Sequence, residues 1–317
     1  MLPDEMRELR SISERLHGAF DDAGYGEVWT PTLEYEEVLE RGDQRAAGAG
    51  FRMLDDHGRV LVLRFDMTIP IARMVAARFG ESPVPIRLCY FAHSYRAVGK
   101  GQIQSREYLQ AGVELIGQPG TEGEAEVVSL TLEALSRAGL ARHRIGVGDG
   151  SLYRTLLEAS GIPDEERMPL LETLSRRDMV GLEVGLKRLG VSGEILEMLL
   201  TLPTLRGGRE ILDRIDGPVD EAARNLRALH DRLDEKGVAD RVIFDLGLVR
   251  DLGYYTGAVF EVYDPAVGYA IGGGGRYDSL LGRFGRDLPA CGIALDLERV
   301  HAASAAEERL EPEGSTR

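Results

Sequence analysis

Hydrophobic and polar positions alternate with two periods along this chain. Between Ala258 and Tyr263, Ala258, Phe260 and Val262 fall on one face of an extended segment, and Val259, Glu261 and Tyr263 on the other. Asp264 and Pro265 close that segment and Tyr269 to Ile271 open a second, which predicts a β-hairpin. Four glycines, Gly272 to Gly275, line a turn and run into Arg276, Tyr277 and Asp278. A run without side chains lets backbone or ligand approach closely. Arg250, Tyr254 and Tyr255 precede the hairpin, so Ile243–Leu281 is expected to floor a small-molecule site rather than to be a plain tight hairpin.

A period of three and four marks Pro3 to Ala23, where Met6, Leu9, Ile12, Leu16, Ala19 and Phe20 share a helix face that Gly24 ends. Glu27 to Glu34 (EVWTPTLE) reads as one extended segment, with Pro31 confining it to an edge or an interface. Phe51 to Leu63 predicts two strands about a turn and delivers Asp66 and Thr68 to the start of a helix. Those two residues suit either a helix cap or a carboxylate that receives a ligand ammonium group. Ile86 to Ser94 and Tyr108 to Ile116 predict paired strands, and Gln110, Gly112 and Glu114 alternate onto one face that is either solvated or a pocket floor. A helix over Thr121 to Ala138 and a strand at Arg144 to Gly148 follow.

Beyond Asp149 helical periodicity dominates, so residues 150–238 are expected to form a helical insertion in a core made of residues 1–149 and 239–302. LPACGIALDLERV predicts a strand and a helix start. The Glu-rich segment 303–317 is expected to be disordered.

At 317 residues the chain can bury a sizeable core. Its formal net charge of −15 disfavours a broad nucleic-acid surface. No apolar run approaches a membrane span and the amino terminus is not a signal peptide, so a cytoplasmic location without membrane association is expected. Cys89 and Cys291 are too few and too far apart for a disulfide framework or a zinc site, and no metal or cofactor is expected.

These segments resemble the catalytic core of class II aminoacyl-tRNA synthetases, in the histidyl-tRNA synthetase branch, over almost the whole chain. EVWTPTLE resembles the first class motif, Tyr95 to Gln110 the second, and ACGIALDLERV the third, with Arg299 as its arginine. LVRDLGYYTGAVFE and GGGGRYD resemble the two histidine-specific signatures. The resemblance implies an α+β fold, an antiparallel sheet flanked by helices, normally in a homodimer.

The departures from that pattern carry the functional expectation. The second motif's FRxE Glu falls on Val98, and its later arginine pair on Gln104 and Arg106. RGLDYY has its Gly and Asp exchanged, as Arg250 to Tyr255. The stretch after Arg299 is too short for an anticodon-binding domain, so tRNA recognition is not expected. The histidine-binding positions, by resemblance, are Asp66, Thr68, Gln110, Glu114, Arg250, Tyr254, Tyr255 and Tyr277, with Arg96, Arg106 and Arg299 left as a vestigial nucleotide side. Asp66, Gln110 and Glu114 would take the ammonium and its neighbouring polar group, the Tyr hydroxyls the imidazole N–H, and Arg250 the carboxylate.

That combination resembles the regulatory-subunit family of short-form ATP phosphoribosyltransferase, the first enzyme of histidine biosynthesis. The resemblance implies a non-catalytic chain that binds L-histidine, activates a separate catalytic subunit in a hetero-octamer and mediates feedback inhibition. A truncated histidyl-tRNA synthetase-like enzyme forming an aminoacyl-adenylate is the alternative, which Arg96, Arg250 and Arg299 keep open.

Overall fold

The computed structural model describes residues 1–43, 50–97, 105–249 and 254–310. Helix α1 (Pro3–Asp22) buries Leu9, Ile12, Leu16, Ala19 and Phe20, whereas Met6 at the start of the same stripe stays exposed. Gly24 closes it at φ +79, with its N–H returning 2.8 Å to the Asp21 carbonyl.

The segment expected to be one strand is divided between two sheets. β1 (Gly26–Glu27) pairs in parallel with β5 (Ile86–Tyr95), while β2 (Leu33–Tyr35) joins β3 (Arg52–Leu54) and β4 (Val60–Leu63) in a small antiparallel sheet ordered β2-β4-β3. The crossing lies at Pro31, which has no N–H to offer a ladder. Its carbonyl and that of Thr30 are satisfied by the buried Arg64 Nη1, at 3.1 and 2.6 Å.

The main sheet takes in β6 (Glu107–Ile116), β7 (Arg144–Asp149), β8 (Arg206–Gly207), β9 (Val242–Asp245), β10 (Ala258–Tyr263), β11 (Ala270–Arg276) and β12 (Ala290–Asp296). Its order is β1-β5-β6-β12-β11-β10-β7-β9-β8, antiparallel except at β1/β5 and β7/β9. The α+β fold expected from the sequence is the fold observed.

Alternation sorts the two sheet faces. Ala111, Val113, Leu115, Phe260, Ile293 and Leu295 pack with α1, α4 (Gly120–Arg137) and α10 (Leu297–Leu310). Tyr90, Val259, Ala290 and Ala294 turn to the other face, with α2 (Glu36–Gly42), α3 (Thr68–Arg78) and the small sheet. That second face carries the cavity described below.

Between β7 and β9 the chain forms α5 (Ser151–Ala159), α6 (Asp164–Ser175), α7 (Met179–Arg188), α8 (Gly193–Thr201) and α9 (Asp220–Glu235). Leu156, Leu186, Leu199 and Leu229 from these helices join the apolar cluster of the first sheet face, and β8 adds a strand to the sheet edge.

Two further expectations are corrected. The glycine run is no turn: Gly272 to Gly275 lie inside β11, facing Val262 to Val259 on β10 and Leu295 to Gly292 on β12. A Cβ on Gly272 would stand 2.5 Å from the Ala294 carbonyl, and one on Gly274 would collide with that of Gly292, so close strand approach demands glycine there. In addition, α10 continues to Leu310, into the segment expected to be disordered. Glu307 anchors it by accepting the Ala141 and Arg142 N–H groups at 2.8 and 2.7 Å, and Ala303 is fully buried. Residues 311–317 lie outside the described residues. No helix among the described residues is long and apolar enough to cross a membrane.

Glu307→Ala would leave two half-buried N–H groups without their acceptor, at a cost of about 1–3 kcal/mol. A urea titration should show a lower midpoint at unchanged slope, and an unchanged midpoint would mean that α10 is not held by this anchor.

Candidate functional site

Four strands and the loop before α3 enclose a cavity of about 260 Å³ on the second face of the main sheet. Gln110 and Glu114 from β6, Gly272 to Gly274 from β11, and Gly292 and Ala294 from β12 floor it. Asp66 and Thr68 form one wall; Tyr254, Tyr255 and Tyr277 form another. Arg96, Asp296 and Arg299 stand on its rim.

Glu114 is almost wholly buried. It points away from the β6 residues Val113 and Leu115, which pack under the helices, and so toward the cavity face. In the sheet it faces Gly292 of β12, where a Cβ would run into its carboxylate; a side chain can cross there only above a glycine. Gly112, two residues earlier, likewise lies under the Tyr90 hydroxyl. Thr68 Oγ1 donates to Glu114 Oε1 at 2.8 Å and the Tyr277 hydroxyl donates to Oε2. Burial pushes the Glu114 carboxyl up from 4.5 to about 8, outweighing the Tyr277 and Thr68 hydrogen bonds that favour its ionised form, and Asp66 adds to the rise.

Asp66 caps α3, the first of the two roles that its sequence position suggested, and turns its other oxygen to the cavity. Oδ1 accepts the Ile69 N–H of α3 at 2.8 Å, and Oδ2 accepts the Tyr254 hydroxyl at 3.0 Å on the cavity side. Desolvation raises this carboxyl too. The three tyrosines form a packed set. Tyr254 lies 4.9 Å from Tyr255 and 5.8 Å, edge-on, from Tyr277 between ring centres. Because Tyr254 and Tyr277 spend their protons on carboxyl oxygens, their own oxygens present lone pairs to a ligand. Ser94 Oγ donates to Gln110 Oε1 at 2.8 Å, which fixes that amide in the floor.

Asp66, Thr68, Gln110, Glu114, Tyr254, Tyr255 and Tyr277 are thus brought together, with Arg96 and Arg299 beside them. Arg106 is not: its exposed guanidinium lies 5.8 Å from the Phe51 ring centre, and its carbonyl accepts the Arg96 N–H. It closes the base of the loop rather than reaching the cavity. Arg250, Val98 and Gln104 lie outside the described residues. Sequence reasoning missed Tyr90, Ser94, Tyr108 and Asp296. Strand parity carried a signal for the first three, since Tyr90 and Ser94 alternate along β5, and Tyr108 along β6, onto the Gln110 face. Among the described residues no group of three or more His, Cys, Asp or Glu is placed to hold a metal ion.

Residues 1–300 match the family described as histidyl-tRNA synthetase. The ATP phosphoribosyltransferase regulatory subunit of Symbiobacterium thermophilum is 42% identical over 308 residues, covering 94% of this chain and 76% of the relative. That of Desulforamulus reducens is 41% identical over 308 residues, covering 96% and 77%. A crystal structure described as an ATP phosphoribosyltransferase regulatory subunit/histidyl-tRNA synthetase from Bacillus halodurans superposes with a TM-score of 0.87 at 33% identity, covering 95% of this chain and 80% of that one.

The raised Glu114 carboxyl makes stability depend on pH. A carboxyl that is harder to ionise when folded stabilises most where both states are protonated, below 4.5, and its contribution is lost as pH rises toward about 8. Melting midpoints of the unliganded protein should therefore fall relative to those of Glu114→Gln from about pH 5 to about pH 8. Parallel profiles for the two proteins would contradict the buried, protonated carboxyl.

Proposed function

The chain belongs to the family of ATP phosphoribosyltransferase regulatory subunits, built on the histidyl-tRNA synthetase fold, and from that premise we propose that its cavity is the histidine sensor of a phosphoribosyltransferase complex. The observation that carries the reading is the paired acceptor set at the deep end of the cavity: Glu114 with Thr68 and Tyr277, Asp66 with Tyr254. An amino acid bearing a second N–H-rich group is the ligand class that such a set suits. About 260 Å³ also lies below the ~300–1,000 Å³ of pockets that hold larger ligands.

Under this reading the ammonium group of L-histidine lies against Asp66 and Gln110, and its imidazole N–H meets Glu114 and the tyrosine oxygens. Arg250 is the proposed partner of the ligand carboxylate. An N–H donor placed on Glu114 repays part of the desolvation that keeps this carboxyl protonated. Binding therefore tightens Thr68, Glu114 and Tyr277 around the ligand. That set joins α3, β6 and the segment after β11, a route by which occupancy can reach the surface.

Phosphoribosyl transfer itself we place on a separate catalytic subunit, which this chain activates and whose inhibition by histidine it mediates. A homodimer of this chain within a hetero-octamer is the proposed assembly. Trp29, 81% exposed, and Leu54, 70% exposed, beside the small sheet are in keeping with a surface that a partner covers.

Mixing the purified chain with a short ATP phosphoribosyltransferase catalytic chain of the same source should give a co-eluting complex with transferase activity that L-histidine lowers. No complex, or a complex whose activity is indifferent to this chain, would overturn the assignment. Glu114→Ala should still activate the partner but bind L-histidine about tenfold or more weakly in calorimetry, the loss of a buried hydrogen-bond acceptor being worth ~1–3 kcal/mol. Unaltered affinity would move the sensor elsewhere.

Arg96 and Arg299 on the rim favour one second reading, activation of histidine by ATP. Histidine-dependent ATP–pyrophosphate exchange measures it, and the sensor account predicts none above background.

A further inference from the structure

At the rim of the cavity a single carboxylate serves two structures. Asp296 ends β12, and its Oδ1 accepts the Arg299 N–H in the first turn of α10 at 3.2 Å, a capping bond. Its Oδ2 lies 3.3 Å from Arg299 Nε and 3.8 Å from Arg96 Nη2. Each arginine is also held from behind. The Arg96 guanidinium lies 3.9 Å from the Tyr108 ring centre, and Arg299 Nη1 donates to the Ala270 carbonyl at 2.8 Å. Asp296 is 14% exposed at its side chain and the arginines 34% and 36%, so the cluster is only partly screened by solvent.

We infer that Asp296 is a specificity-determining residue: it ties Arg96 and Arg299 into an ion cluster with one surplus positive charge, which holds a polyphosphate far less well than two unpaired arginines would and changes little for the single carboxylate of an amino acid, whose proposed partner is Arg250. Two arginines without an internal partner make a strong bidentate phosphate site. With Asp296 Oδ2 within 3.3 and 3.8 Å of the two guanidinium groups, a phosphate drawn to either arginine also comes near a carboxylate. The attraction that Asp296 cancels grows with each charge on the ligand, so its presence weakens the hold on a polyphosphate several times more than that on a monoanion. The part concerning an amino acid rests on the histidine reading above, whereas exclusion of polyphosphate rests on the cluster alone.

A residue that only caps α10 would leave anion selectivity unchanged when replaced by another capping residue. Asp296→Asn and Asp296→Ser both keep a capping oxygen and remove the charge. Calorimetry on the full chain would follow inorganic pyrophosphate, ATP and L-histidine in parallel, with melting curves to establish that at least one variant folds. Pyrophosphate should bind the folded variant about tenfold or more tightly than the parent, with a larger gain than that of L-histidine. Equal pyrophosphate affinity in parent and variant, or equal gains for both ligands, would overturn the inference. A pyrophosphate gain in proteins that bind no L-histidine at all would refute the sensor reading while upholding Asp296 as the barrier to polyphosphate.

Discussion

A carboxyl group held in the middle of a sheet, out of contact with water, constrains everything around it. Glu114 is 1% exposed, and such a group is tolerated only when it is neutral or fully partnered. Its partners come from far apart in the chain, Thr68 from the start of α3 and Tyr277 from beyond β11, and Gly292 on the neighbouring strand makes room for it. The β6–β12 register that sets Glu114 opposite Gly292 therefore fixes where the cavity opens. A shift of one residue would turn Glu114 toward the helices and Val113 into the site.

Much of this was legible beforehand because strand alternation and helical stripes act locally. β6 and β10 fell where period-two patterns placed them, β5 and β12 where strands were expected, and the α1 stripe buried as expected apart from Met6. Failures came where a distant partner decided the outcome. Arg64, remote in sequence, satisfies the carbonyls that let the chain cross sheets at Pro31. Glu307 ties a polar, Glu-rich segment to the loop before β7 and so extends α10, which composition alone could not disclose. The glycines of β11 suggested a turn locally, and their strand role comes from the carbonyls of β12 crowding above them.

The candidate site shows the same division. Motif positions such as Asp66, Thr68, Gln110 and Glu114 could be named in advance, because resemblance carries residue identity. Arg106 could not be set apart from them that way, since a motif match does not say which way a side chain points. Asp296 escaped notice because it reads as an ordinary cap three residues before Arg299, and its second contact, to Arg96, crosses from β12 to the end of β5. A frame shared with histidyl-tRNA synthetases thus carries a cavity whose two rim arginines have a carboxylate between them.

The most direct test of the account is to locate L-histidine on the protein by crystallography of the complex. The sensor reading predicts the imidazole in the deep end of the cavity, with a ring nitrogen about 2.6–3.2 Å from Glu114 or a tyrosine oxygen and the ammonium group on Asp66. Histidine bound at another surface while this cavity holds only solvent would contradict it.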